Sequence, residues 1–247
     1  MTGTGPAIAA HHAPGLAPLL SPILLTGFEP FAGDGHNPSW PAAQEAARRL
    51  RDRGFDAVAV RLPCSFAGST EALERALAEH RPGTVIACGL AGGRTRVAVE
   101  RVAVNLQDAR IPDNAGAQPA GQAVDDTGPA AYFSTLPVKR IVAALREAAI
   151  PAELSLSAGS FVCNHLFYAL MARAEAGSVR TAGFIHVPWD ENAPKRTARA
   201  GAHADDGHGP EPWPTLPGSR LAEALVIAAL EAARPASDLD VPEGSLY

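Results

Sequence analysis

The chain has 247 residues, enough for one large α/β domain, and 47% hydrophobic against 19% charged residues excludes wholesale disorder. Lys plus Arg number 21 against 26 Asp plus Glu, a net charge of −5, and no basic run is present. That balance argues against nucleic acid or an anionic membrane as the main partner.

Three cysteines, Cys64, Cys88 and Cys163, are odd in number, far apart and without metal-ligand spacing. They point to a reducing, cytoplasmic compartment rather than a disulfide framework, and no metal or cofactor is expected. No apolar run reaches the length of a membrane span. Residues 1–20 carry no Lys, Arg, Asp or Glu. They lack the positive start of a secretory signal and read as a disordered tail. The expected organisation is a tail over 1–21, one domain over 22–234 and a second tail over 235–247.

Ile23, Leu24 and Leu25 read as a first buried strand ending at Thr26 and Gly27. The loop to Trp40 holds Phe28 and Phe31 among glycines and prolines, and a helix follows over 42–50. The two rings read either as the loop's own hydrophobic plug or as part of a site. A phosphate loop is rejected, because neither GxGxxG nor a Gly-Lys-Ser/Thr ending occurs.

A second strand is predicted over 56–63, a helix over 69–80 and a third strand over 84–88. Residues 96–105 alternate as one further strand. Glu100 interrupts its apolar surroundings and needs a partner if buried. Arg94, Arg96 and Arg101 are candidates for a structural ion pair. Residues 108–121 form a long irregular stretch of the kind that is often functional. A helix over 137–149 follows.

Residues 154–157 alternate like a strand, and Ala158, Gly159 and Ser160 break the pattern. Helical spacing begins at Phe161, with Ser160 as the expected N-cap. Cys163 then falls in a first helical turn, where free amides and the helix dipole should lower its pKa. Cys163 is thus a nucleophile or a small core residue. A strand over 181–188 carries His186 near its carboxyl end, where α/β sheets gather ligands. Residues 190–218 are polar, proline-rich and read as a loop or lid. A last helix is expected over 219–233. Strands alternating with helices predict an α/β sheet covered on both faces.

These blocks together resemble the pyroglutamyl peptidase I, or pyrrolidone-carboxylate peptidase, family. TGFEPFAG followed by NPSW, AGGRT followed by VERVAVNLQDARIPDN, GPAAYFSTLP, AGSFVCNHLFY and GFIHVP stand in family order over about residues 22–189. Ala32 replaces a family glycine, Ser160 a threonine, and Leu90 stands where some members carry glutamine. The polar stretch 190–218 does not follow the family pattern clearly.

The resemblance implies a three-layer α/β/α sandwich with a twisted mixed, mostly parallel sheet. It implies a cysteine exopeptidase that releases N-terminal pyroglutamate from peptides. Cys163 would be the nucleophile, His186 the base and Glu100 its orienting carboxylate. Phe28 and Phe31 would enclose the lactam ring, Arg110 would stand on the oxyanion side, and Phe161 and Val162 would also bind substrate. Family members are often tetramers, so a homo-oligomer is expected. The alternatives are a hydrolase of another small lactam or amide, and a non-catalytic ligand-binding module.

Overall fold

The computed structural model describes residues 21–194 and 212–244. The expected tail over 1–20 and the middle of the polar stretch, 195–211, lie outside the described residues. Numbered in chain order, six strands form the main sheet: β1 (Ile23–Phe28), β2 (Ala57–Leu62), β3 (Thr84–Leu90), β4 (Val97–Glu100), β7 (Ala152–Ser155) and β8 (Thr181–Val187). Their order is β2-β1-β3-β8-β4-β7. The first four are parallel, β4 runs antiparallel to β8, and β7 is parallel to β4. A separate antiparallel ribbon joins β5 (Val102–Val104) and β6 (Ala131–Phe133).

The period-2 alternation of each strand sorts its side chains to two faces. Ile23, Leu25, Ile86, Cys88, Val97, Val99, Ile185 and Val187 pack under α1 (Ser39–Asp52), α3 (Val138–Glu147) and α5 (Gly218–Ala233). Leu24, Phe28, Val85, Ala87, Ala182 and Phe184 pack under α2 (Phe66–His80) and α4 (Val162–Glu175). The result is the three-layer sandwich with a mixed, mostly parallel sheet.

The departures from expectation have identifiable causes. Helix α1 starts three residues early because the Asn37 side-chain oxygen accepts from the Ser39 amide (3.1 Å) and hydroxyl (2.8 Å). Helix α2 also starts three residues early, since Asp113 accepts from the Phe66 amide at 2.8 Å. The amino end of α3 is capped by Asp238, which accepts from the Lys139 and Arg140 amides at 3.3 and 2.9 Å. The single strand expected over 96–105 is two. At Arg101 the amide donates to the Ser155 carbonyl (2.8 Å) while its carbonyl accepts from Ser134 (2.9 Å), and the chain leaves one sheet for the other. Strand β6 was not anticipated; three residues carry too little period. Residues 235–244, expected as a free tail, fold back on α3. There Arg140 donates to the Ala236 and Ser237 carbonyls, both at 2.6 Å, and Arg146 pairs with Glu243 at 2.8 Å.

Candidate active site

His186 is the sixth of seven residues in β8 and faces the α2/α4 layer, like Ala182 and Phe184. Its register partner on β4 is Ala98, so Glu100, two residues further, lies on the same face. His186 Nδ1 donates to Glu100 Oε1 at 2.8 Å. That bond fixes the tautomer and leaves Nε2 as the acceptor. Glu100 is fully buried, and Arg94 Nη1 lies 3.3 Å from the same oxygen. The ion pair and the histidine contact, weighed from sequence as rival roles for Glu100, coexist.

Cys163 is the second residue of α4. Gly159, at φ +77°, turns the chain after β7, and Phe161 in extended conformation opens the helix. No side chain caps it: the Ser160 hydroxyl expected to do so donates instead to the Asp108 carbonyl at 2.7 Å. The amides of Val162 and Cys163 therefore have no intrahelical acceptor. Asn164, fully buried, pins this turn to β5 by accepting from the Val104 amide (3.0 Å) and donating to the Val104 and Leu106 carbonyls (2.8 and 3.0 Å). Beneath the turn lies Gly89, the register partner of His186 on β3. A Cβ there would stand 2.7 Å from Cys163 Sγ, so the sulfur rests on the glycine, one strand over from the histidine.

The environment of the thiol corrects the expectation of a lowered pKa. Burial pushes Cys163 well above the ordinary thiol value, with Cys64, Cys88 and the Glu100 carboxylate adding to the effect. Desolvation in an apolar wall outweighs the helix start. Cys64 is likewise pushed up, to about 12, by burial and then by Glu29 and Asp113. At neutral pH the sulfur is a thiol and needs a base to become a nucleophile.

Cys163 and His186 share a cavity of about 270 Å³ with Phe28, Phe31, Phe161, Leu90, Ala91, Ala158, Gly159, Asn37, Cys64 and Arg94. Its size falls just under the usual range of about 300–1,000 Å³ for small-molecule sites, which suits one small ring. Phe28 ends β1, one residue beyond the predicted strand end, and its amide donates to Ser39 Oγ at 3.0 Å. Phe31 lies against Phe161, ring centroids 6.1 Å apart, and Phe161 meets the edge of Phe66 at 5.4 Å. Asn114, from the long irregular stretch, donates to Glu29 Oε1 (2.8 Å) and the Pro30 carbonyl (2.9 Å) and holds the loop that carries Phe31.

Of the other two residues expected to bind substrate, Val162 buries its side chain in the core and offers the site only its amide. Arg110 is exposed. Sequence reasoning missed Gly89, Asn164, Asn37 and Cys64. Gly89 carried a signal, a glycine inside a strand pattern, which marks close approach. Asn164 carried none. Among the described residues no three His, Cys, Asp or Glu side chains gather as metal ligands.

The sequence profile of the pyroglutamyl peptidase family matches residues 21–233. The pyrrolidone-carboxylate peptidase of Pectobacterium carotovorum is 44% identical over 229 residues, covering 91% of this chain and 99% of the relative. That of Streptomyces coelicolor is 46% identical over 230 residues, with the same coverage. The crystal structure of Bacillus amyloliquefaciens pyroglutamyl peptidase I superposes with a TM-score of 0.75 at 41% identity, over 89% of this chain and all of that one. The pyrrolidone carboxyl peptidase of Thermococcus litoralis gives 0.76 at 33% identity, over 90% and 100%. With the profile spanning the whole sandwich, the chain belongs to the pyroglutamyl peptidase family.

Proposed function

We infer that the chain is a cysteine exopeptidase that hydrolyses the amide after an N-terminal pyroglutamyl residue and releases 5-oxoproline. One observation carries the reading: a thiol and a carboxylate-backed imidazole share a small cavity walled by Phe28, Phe31 and Phe161. A pyroglutamyl terminus has no ammonium, and its ring is flat, neutral and small. Aromatic faces enclose such a ring, and an amine-reading site does not.

In this mechanism His186 Nε2 takes the proton of Cys163 as Sγ attacks the scissile carbonyl. Burial disfavours a standing thiolate, so the attack needs His186 to take the proton. Glu100 holds the ring and stabilises the imidazolium, which then protonates the leaving amine. The Val162 and Cys163 amides at the start of α4 stabilise the oxyanion. Arg110, exposed, keeps the place on the oxyanion side that the family resemblance implies. Water activated by His186 releases the acyl group.

The family resemblance supports a homo-oligomer, a tetramer in our reading, and the three free thiols support a cytoplasmic setting. No described helix is long and apolar enough to cross a membrane. The test is fluorophore release from a pyroglutamyl amide beside the matching prolyl amide, for the wild type and Cys163→Ala. Cleavage of the first amide alone, lost in the variant, is expected. Ordinary turnover by Cys163→Ala would refute the mechanism.

A further inference from the structure

Arg94 touches both halves of the site. Its Nη1 lies 3.3 Å from Glu100 Oε1, the oxygen that also accepts from His186. Its Nη2 donates at 3.0 Å to the carbonyl of Ser157, in the turn that leads to Cys163. The second Glu100 oxygen is buried and makes no hydrogen bond with the described residues, so the carboxylate is answered at one atom. Of the other two nearby arginines, Arg101 stands over the Phe133 ring at 5.5 Å and Arg96 is exposed. Glu153, 3.7 Å from the guanidinium, is partly exposed and holds its outer side.

A fully buried carboxylate is costly without a partner, and Glu100 meets the guanidinium of Arg94 and the imidazole of His186. Arg94 is then the permanent cation that Glu100 faces before the reaction starts. We propose that Arg94 is a positioning residue for the hydrolysis: it pairs with Glu100, keeps that carboxylate aimed at His186, and ties the pair to the turn bearing Cys163. The proposal rests on the reading of Cys163, His186 and Glu100 given above. Arg94 also lines the cavity, so direct contact with substrate is the competing role.

The two roles separate in a double-mutant cycle on a pyroglutamyl amide, with Arg94→Met, Glu100→Gln and the double variant. If Arg94 acts through the charge of Glu100, Arg94→Met lowers kcat by about 10- to 100-fold, the scale of losing a hydrogen bond to a charged group, with KM little changed. In the Glu100→Gln background the same change then costs almost nothing, because residues acting as a unit are not additive. Arg94→Lys, which keeps the cation, recovers most of kcat. The double variant buries no unpaired charge and carries the test if Arg94→Met does not fold: it should match Glu100→Gln. Wild-type kcat in Arg94→Met, a loss confined to KM, or a full additional loss in the double variant overturns the proposal. Wild-type kcat in Glu100→Gln overturns the underlying reading instead, so the two failures are distinguishable.

Discussion

Gly89→Ala places one methyl group where the sulfur now rests. The ideal Cβ would stand 2.7 Å from Cys163 Sγ and 2.8 Å from Phe184 Cζ. Ordinary contact needs about 3.5–4.0 Å, so something must retreat by roughly 1 Å. Phe184 is fully buried under α4 and has little room to yield. Cys163 Sγ turns about a single bond at the edge of the cavity, so it moves, and it moves off the position beside His186. A misplacement of about 1 Å at a reacting atom can cost about 100-fold in rate, or roughly 2.7 kcal/mol of barrier. The expected signature is a fall in kcat of that order, slower alkylation by iodoacetamide, and unchanged inhibition by 5-oxoproline, because the ring pocket is untouched. Crowding of the core is the rival cause, and Phe184→Leu separates it. Gly89→Ala in that background, compared with Phe184→Leu alone, should still lose the same factor. A kcat within twofold of wild type, or full recovery in the double variant, would refute the geometric argument.

Phe28→Ala and Phe31→Ala should each weaken kcat/KM on pyroglutamyl amides by about 1–3 kcal/mol, partly in kcat, with prolyl amides untouched throughout; steady-state kinetics on folded protein decides. Asp238→Ala removes the cap of α3 and should cost about 1 kcal/mol, or about 2–4 °C in Tm, without changing kcat; an unchanged melting curve would mean the cap is idle. Burial holds the Cys163 proton, so in His186→Ala its alkylation rate should keep rising with pH through pH 9. A plateau below pH 8 would show that the helix start wins over desolvation after all.

Local pattern singled out Glu100, His186 and Cys163 but left each a rival structural role, and the resemblance to the family is what proposed catalytic ones. Glu100 broke an apolar alternation, His186 stood near a strand's end, and Cys163 followed a broken strand into helical spacing. What sequence misjudged depends on partners far along the chain. Asp113 starts α2 from 47 residues away, and Asp238 caps α3 from 98 to 99. Ser160 looked like a cap because its type and place fit, but the Asp108 carbonyl, 52 residues away, takes its hydroxyl. The thiol's protonation went the other way for the same reason. A helix start can be read locally, whereas desolvation is set by whatever closes over the sulfur.

Of the sheet side chains that meet the cavity, Phe28 and His186 project toward α2 and α4, while Leu90, at the end of β3, packs with Trp189 and Trp213. The opposite layer, under α1, α3 and α5, is built almost wholly from aliphatic side chains and alanine. Improvement of one property can therefore proceed without trespassing on the other. A protein engineer seeking heat tolerance would repack that aliphatic side away from Asn37 and Ser39, while one seeking new substrates would rework Phe31, Leu90 and Cys64. The same separation lets drift accumulate on one side of the molecule without passing through inactive intermediates.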